Sequence, residues 1–136
     1  MTVDQLIGQY HSLFLYIPIV LFTGALIADL LHYYGKNKFL SIGHWLIIVG
    51  VVFCIPTIIT GLSAAAGFEA GNYLVEKHGY LGYAMGISGS MYAGLRISAM
   101  LWRLPLRPVH YVVLSGLLVA LVSWTADYGF LILHSA

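Results

Sequence analysis

Six histidines stand out as residues suited to chemistry: His11, His32, His44, His78, His110 and His134, in a chain with few other polar side chains. A neutral imidazole is the natural axial ligand of haem iron, and ionisable groups at membrane depth commonly face a bundle interior and carry function. Any one histidine at the end of an apolar helix reads more simply as an interfacial, half-solvated residue. It is the set that points to a cofactor. His11 and His32 are 21 residues apart, about 31 Å along a helix, so one site cannot hold all of them. His11, His78 and His134 fall at one end of the helices, and His32, His44 and His110 at the other. Across a four-helix bundle His11 would face His78, and His44 would face His110.

A planar macrocycle also needs space between helices. Gly79, Gly82, Gly86, Gly89 and Ala93 follow a 3-4-3-4 spacing that places them on one helix face beside His78. The same stripe would equally serve close helix packing. Asp29 and Asp127 are the carboxylates well inside apolar segments. Asp29 is spaced to hold His32 as a hydrogen-bond acceptor, whereas Asp127 lies about 10 Å along the axis from His134 and needs a partner from elsewhere. Arg96 would snorkel to lipid headgroups or neutralise a haem propionate.

The elements that must position these residues are apolar helices. Hydrophobic residues make up 60% of the chain and charged residues 8%, with a mean hydropathy of +0.90. A soluble domain carries about a quarter charged residues, so a water-soluble fold is excluded. Spans of about 20 apolar residues fall at 11–34, 40–64, 77–102 and 108–134. Gly35-Lys36-Asn37-Lys38, the stretch Gly67 to Asn72, and the Pro105/Pro108 pair separate them. Connections this short dictate an all-α, up-down-up-down bundle of four transmembrane helices, one domain over residues 1–136. No internal repeat or low-complexity tail stands out. Residues 1–10 lack the basic region of a cleavable signal, so the first span is expected to be retained.

Lys36, Lys38, Arg103 and Arg107 crowd the first and third connections, while Asp4, Glu69, Glu76 and Lys77 lie at the other end. The positive-inside rule then predicts a bacterial inner-membrane protein with both termini periplasmic. Tyrosines and tryptophans near both ends of the spans fit interfacial belts. The net charge of +1 and the absence of a basic cluster exclude nucleic acid as a partner. Cys54 is the single cysteine, so no internal disulfide forms. The hydroxyls lack a base and orienting carboxylate in register, which argues against hydrolytic or transferase chemistry.

The segment His11-Ser12-Leu13-Phe14-Leu15-Tyr16-Ile17-Pro18-Ile19 resembles the HPxxxHFPI opening of an uncharacterised family of small bacterial membrane proteins. That family is a domain of unknown function, often found beside cytochrome c domains or in respiratory operons. His78, Thr60-Gly61 and the stretch from Gly129 to His134 match its later landmarks. Ser12 stands where the motif has proline, and Tyr16 where it has its second histidine. The resemblance implies a membrane location and a redox neighbourhood, and it favours His11, His78 and His134 over the other set.

The leading expectation is therefore a b-type cytochrome, a redox subunit rather than a stand-alone enzyme. It would hold haem b between His11 and His78, with His134 as an alternative ligand, and a second haem between His44 and His110. Gly82 and Gly86 would line the haem groove and Arg96 its propionates. Electrons would pass between a quinone and a periplasmic cytochrome or similar redox partner. The small-residue faces would suit a homo-oligomer or a larger membrane complex. Two alternatives stand beside it: a cofactor-free anchor or assembly subunit, and a proton or metal carrier.

Overall fold

Turn chemistry fixes where each helix stops. The computed structural model describes residues 3–69 and 71–135; Met1, Thr2, Ala70 and Ala136, the third of these in the loop expected over 67–72, lie outside the described residues. The helices are α1 (Val3–Gly8), α2 (His11–Tyr33), α3 (Lys38–Ala65), α4 (Tyr73–Trp102) and α5 (Pro108–Ser135). Gly35 ends α2 at φ +87°, a left-handed conformation that a Cβ disfavours. The Lys36 and Gly35 N–H groups then donate to the carbonyls of Leu31 (3.0 Å) and His32 (2.9 Å), the paired bonds of a Schellman stop.

The start of α4 differs from the expected 77. Asn72 caps it, its Oδ1 accepting from the N–H groups of Leu74 (3.1 Å) and Val75 (3.3 Å). The helix therefore begins four residues earlier, ahead of the charged Glu76 and Lys77 that mark the edge of the apolar run. Helix α1 was not foreseen. It packs on α3, and a Cβ at Gly8 would lie 2.9 Å from the Ala64 Cα, so the two backbones nearly touch.

Helix α2 packs on α3 and α5, and α4 packs on the same two, so α2 lies diagonal to α4 and α3 to α5. The bundle surface is apolar. Leu13, Val20 and Ile27 on α2, Ile55 and Ile59 on α3, and Ile87 and Leu101 on α4 are all exposed. Water would not tolerate so continuous an apolar surface, but lipid does. Among the described residues, Leu6–Tyr33, Lys38–Ala65 and Pro108–Ile132 are long and apolar enough to cross a membrane. Helix α4 is the longest of the four and the least apolar. The expected four-helix membrane bundle is the observed one.

Three glycines of α3 set its closeness to α2. Built Cβ atoms would lie 2.6 Å from Asp29 Oδ1 at Gly43, 2.5 Å from Phe22 Cε1 at Gly50 and 2.9 Å from His11 Cε1 at Gly61. The steps of seven and eleven between these glycines equal the steps between the α2 residues they receive. Both steps keep a residue on one helical face, so the antiparallel pair is locked in a single register. The core between the bundle ends is apolar, with Phe22, Ala25, Ile47, Met85, Leu118 and Val122 buried.

Candidate functional site

A cavity of about 320 Å³ opens between all four long helices at the end that carries the chain termini. That is within the roughly 300–1,000 Å³ of small-ligand sites. His11, from the first turn of α2, and His78, from near the start of α4, meet in it across the bundle diagonal, with their Nε2 atoms 3.4 Å apart. Their ring centroids are 5.7 Å apart and the ring planes are at 86°. The centroid separation exceeds the Nε2 gap by a full ring radius at each end, so the two Nε2 atoms face each other head-on.

Each ring is anchored through its other nitrogen. His11 Nδ1 donates to the Thr57 carbonyl (3.1 Å) and lies 3.2 Å from Thr60 Oγ1, while His78 Nδ1 donates to the Thr125 carbonyl (2.8 Å). A carbonyl accepts only, so Nδ1 carries a proton on both rings, and the two Nε2 edges are turned toward each other. Behind each ring is a glycine: a Cβ at Gly61 would lie 2.9 Å from His11 Cε1, and one at Gly129 3.2 Å from His78 Cε1. Pro18 contributes about two turns deeper. It has no N–H to offer the Phe14 carbonyl, and the Thr57 hydroxyl lies 3.0 Å from that carbonyl and 2.8 Å from the Phe53 carbonyl, sharing its one proton between them.

The glycine stripe of α4 divides along its length. Gly79 and Gly82 line the cavity, and a Cβ on either would meet nothing within 4 Å. Gly86, expected in the same groove, instead packs against Ile58, where a Cβ would lie 3.0 Å from Cδ1. Gly89 likewise packs on Val51, at 3.1 Å. One stripe thus borders open space at one end and packs closely on α3 further along.

The other histidines do not form a second pair. His44 is buried with its Nδ1 3.4 Å from Arg96 Nη1 and its ring on Tyr111. His110 is exposed and accepts the Arg107 N–H at 3.0 Å, which caps the start of α5. His44 is thus turned to Arg96 and Tyr111 and His110 to the Arg107 N–H, and the structure does not bring these two together as it does His11 and His78. His134 is exposed outside the cavity, its Nδ1 donating to the Phe130 carbonyl at 2.9 Å and its ring against Phe130. His32 sits edge-on to Tyr111.

Arg96 neither snorkels nor reaches the cavity. It is fully buried in an ion pair with Asp29, which is also fully buried. Ser115 donates to Asp29 Oδ2 at 2.6 Å and accepts from Arg96 Nη2 at 3.2 Å. The guanidinium carbon is 4.8 Å from the Tyr92 ring centroid and 4.5 Å from that of Tyr111. Asp29 therefore turns to Arg96 rather than to His32. Asp127, with no such partner, lies on the exposed side of α5. The polar clasp closes the end opposite the cavity. One signal could have exposed it: the Gly43/Gly50/Gly61 spacing matches Asp29, Phe22 and His11 in antiparallel register and turns Asp29 inward.

A family model described as a predicted membrane protein, DUF2231, matches residues 9–134. The chain belongs to this family. The matched residues run from just before His11 through His134, so they take in both cavity histidines and the clasp of this DUF2231 protein. No curated protein and no solved structure matches it.

Proposed function

We propose that this DUF2231 protein is a membrane electron-transfer subunit holding one haem b, with His11 and His78 as axial ligands. The head-on pair of Nε2 atoms inside the cavity carries the reading. Two in-line bonds from imidazole nitrogen to a metal span about 4 Å, and the 3.4 Å gap is close to that. The anchoring fits as well, because ligating histidines usually donate their other N–H to a carbonyl or carboxylate. When bound, the haem would supply reversible one-electron transfer.

The chain's own residues would do the rest. The Thr57 and Thr125 carbonyls hold each ring in the tautomer that leaves Nε2 free. They would also make the imidazoles stronger donors to a bound metal. Gly61 and Gly129 let the rings lie back against helix backbone, and Gly79 and Gly82 leave space at the side. Only one histidine pair converges among the described residues, so one haem is proposed rather than two.

With the basic connections on the cytoplasmic side of a bacterial inner membrane, the cavity would face the periplasm. A soluble periplasmic redox protein is then the natural partner at the cavity mouth, and a quinone in the bilayer the counterpart. The carrier reading is weaker. No cluster of three or more His, Cys, Asp or Glu able to hold a metal ion occurs among the described residues. The apolar core around Phe22, Ile47 and Val122 offers no proton relay between the two ends. The test is a reduced-minus-oxidised absorbance spectrum of protein purified from haem-replete cells. A sharp α-band with one haem per chain is expected; a stable, folded and colourless protein overturns the proposal.

A further inference from the structure

The two cavity histidines fix an angle as well as a gap. Their ring centroids are 5.7 Å apart and their Nε2 atoms 3.4 Å, so both centroids lie on the extended Nε2–Nε2 line. Each ring plane therefore contains that line, and the 86° between the planes is a twist about it. Two histidines meeting end to end do not require this angle. Rotation about the line is free until something holds each ring.

What holds each ring is the helix that follows its own. His11 of α2 donates to the Thr57 carbonyl of α3, and His78 of α4 to the Thr125 carbonyl of α5. The Nδ1–H bond lies in the ring plane and off the Nε2–Nε2 line, so turning a ring about the line carries Nδ1 away from its carbonyl. The two seats are built alike. Each is a threonine followed four residues later by glycine, Thr57 with Gly61 and Thr125 with Gly129. A helical side chain overlies the turn before it, so glycine at that fourth place leaves the threonine carbonyl open to the ring. Added Cβ atoms would lie 3.3 Å from His11 Nδ1 and 3.6 Å from His78 Nδ1, and closer still to the two Cε1 atoms. Each threonine hydroxyl has the carbonyl one turn before it as an acceptor, Phe53 at 2.8 Å and Leu121 at 2.9 Å.

We propose that these two Thr-x-x-x-Gly seats are the positioning elements of the site, and that they hold the axial imidazole planes perpendicular. This rests on the haem reading and adds to it the electronic type of the centre. The filled π orbital of an imidazole stands normal to its ring and raises one of the two iron d orbitals directed out of the macrocycle plane. Parallel rings raise the same orbital and split the pair. Perpendicular rings raise one each and leave the pair close in energy. Low-spin ferric iron with that near-degeneracy is strongly anisotropic magnetically. The orientation is set by the α3 and α5 backbone, through the second nitrogen of each ring.

The test is cryogenic electron paramagnetic resonance of the ferric, full-length protein in detergent. Far-ultraviolet circular dichroism checks the fold, and the absorbance spectrum checks that the haem is low-spin. The wild type should give the spectrum of perpendicular ligands, a single low-field feature with the other components broadened away. A fully resolved rhombic spectrum, the mark of near-parallel planes, overturns the proposal and leaves the haem reading intact. A folded wild type without haem removes that reading instead. Because 86° is close to the largest angle two planes can make, any appreciable turn of a ring in either sense lessens it. Gly61→Ala and Gly129→Ala should therefore shift the low-field feature toward the rhombic form, further in Gly61→Ala. Gly116→Ala on α5, where a Cβ would meet nothing within 4 Å, should leave it in place. Haem-loaded Gly61→Ala and Gly129→Ala proteins with the wild-type spectrum overturn the role of the seats. Should Gly61→Ala fail to fold or to take up haem, the milder Gly129→Ala decides.

Discussion

Replacing one member of the buried Asp29–Arg96 pair should damage the fold far more than replacing both. Each side chain is fully buried, and the pair lies at the end of the bundle away from the cavity. Asp29→Leu would leave a guanidinium buried between Tyr92 and Tyr111, and Arg96→Leu a carboxylate with only the Ser115 hydroxyl. Stranding one partner of a buried pair costs about 3–5 kcal/mol, while apolar replacement of both is often neutral or better. Each single variant should therefore lose roughly 3 kcal/mol or more, about two decades in the folding equilibrium constant, and the Asp29→Leu/Arg96→Leu double should recover most of it. The assay is reversible unfolding in mixed detergent micelles, followed by far-ultraviolet circular dichroism. Single variants that cost under about 1 kcal/mol, or a double that costs as much as the two singles combined, would refute the clasp.

Other expectations concern how the histidines are held. Gly61→Ala should perturb the His11 ring more than Gly129→Ala perturbs His78, because the added carbon lies at 2.9 Å in the first case and 3.2 Å in the second. Haem content and midpoint potential should both move further in Gly61→Ala; the reverse order would show that ring backing does not govern the site. Thr57→Val removes the hydroxyl shared between the Phe14 carbonyl left open by Pro18 and the Phe53 carbonyl. It should lower stability by about 1–3 kcal/mol in the same micelle assay, with Thr57→Ser near wild type. A Thr57→Val protein as stable as its parent would mean the carbonyl is satisfied elsewhere.

Much of this was legible in the sequence because it rests on periodicity and on residues with one dominant use. Apolar runs bounded by Gly35, Asn72 and Pro108 gave the bundle, and its diagonal order followed from the short connections. That order alone suffices to set His11 opposite His78. What stayed hidden depends on which way a side chain turns. Arg96, near the end of a span, has a long enough stem for either lipid headgroups or the core, and the choice is made by Asp29 on a diagonal helix. His110 looks like a ligand until its place three residues past Arg107 makes it a cap. Helix α1 is too short to show a period.

The central claim is that two histidines, one from each hairpin, hold a single haem. Reduced α-band absorbance of His11→Ala, His78→Ala, His44→Ala, His110→Ala and His134→Ala, purified alongside the wild type, tests it most directly. The band should vanish or collapse in His11→Ala and in His78→Ala, and persist in the other three. A band that survives in either of the first two, or disappears in His44→Ala or His110→Ala instead, would contradict the account.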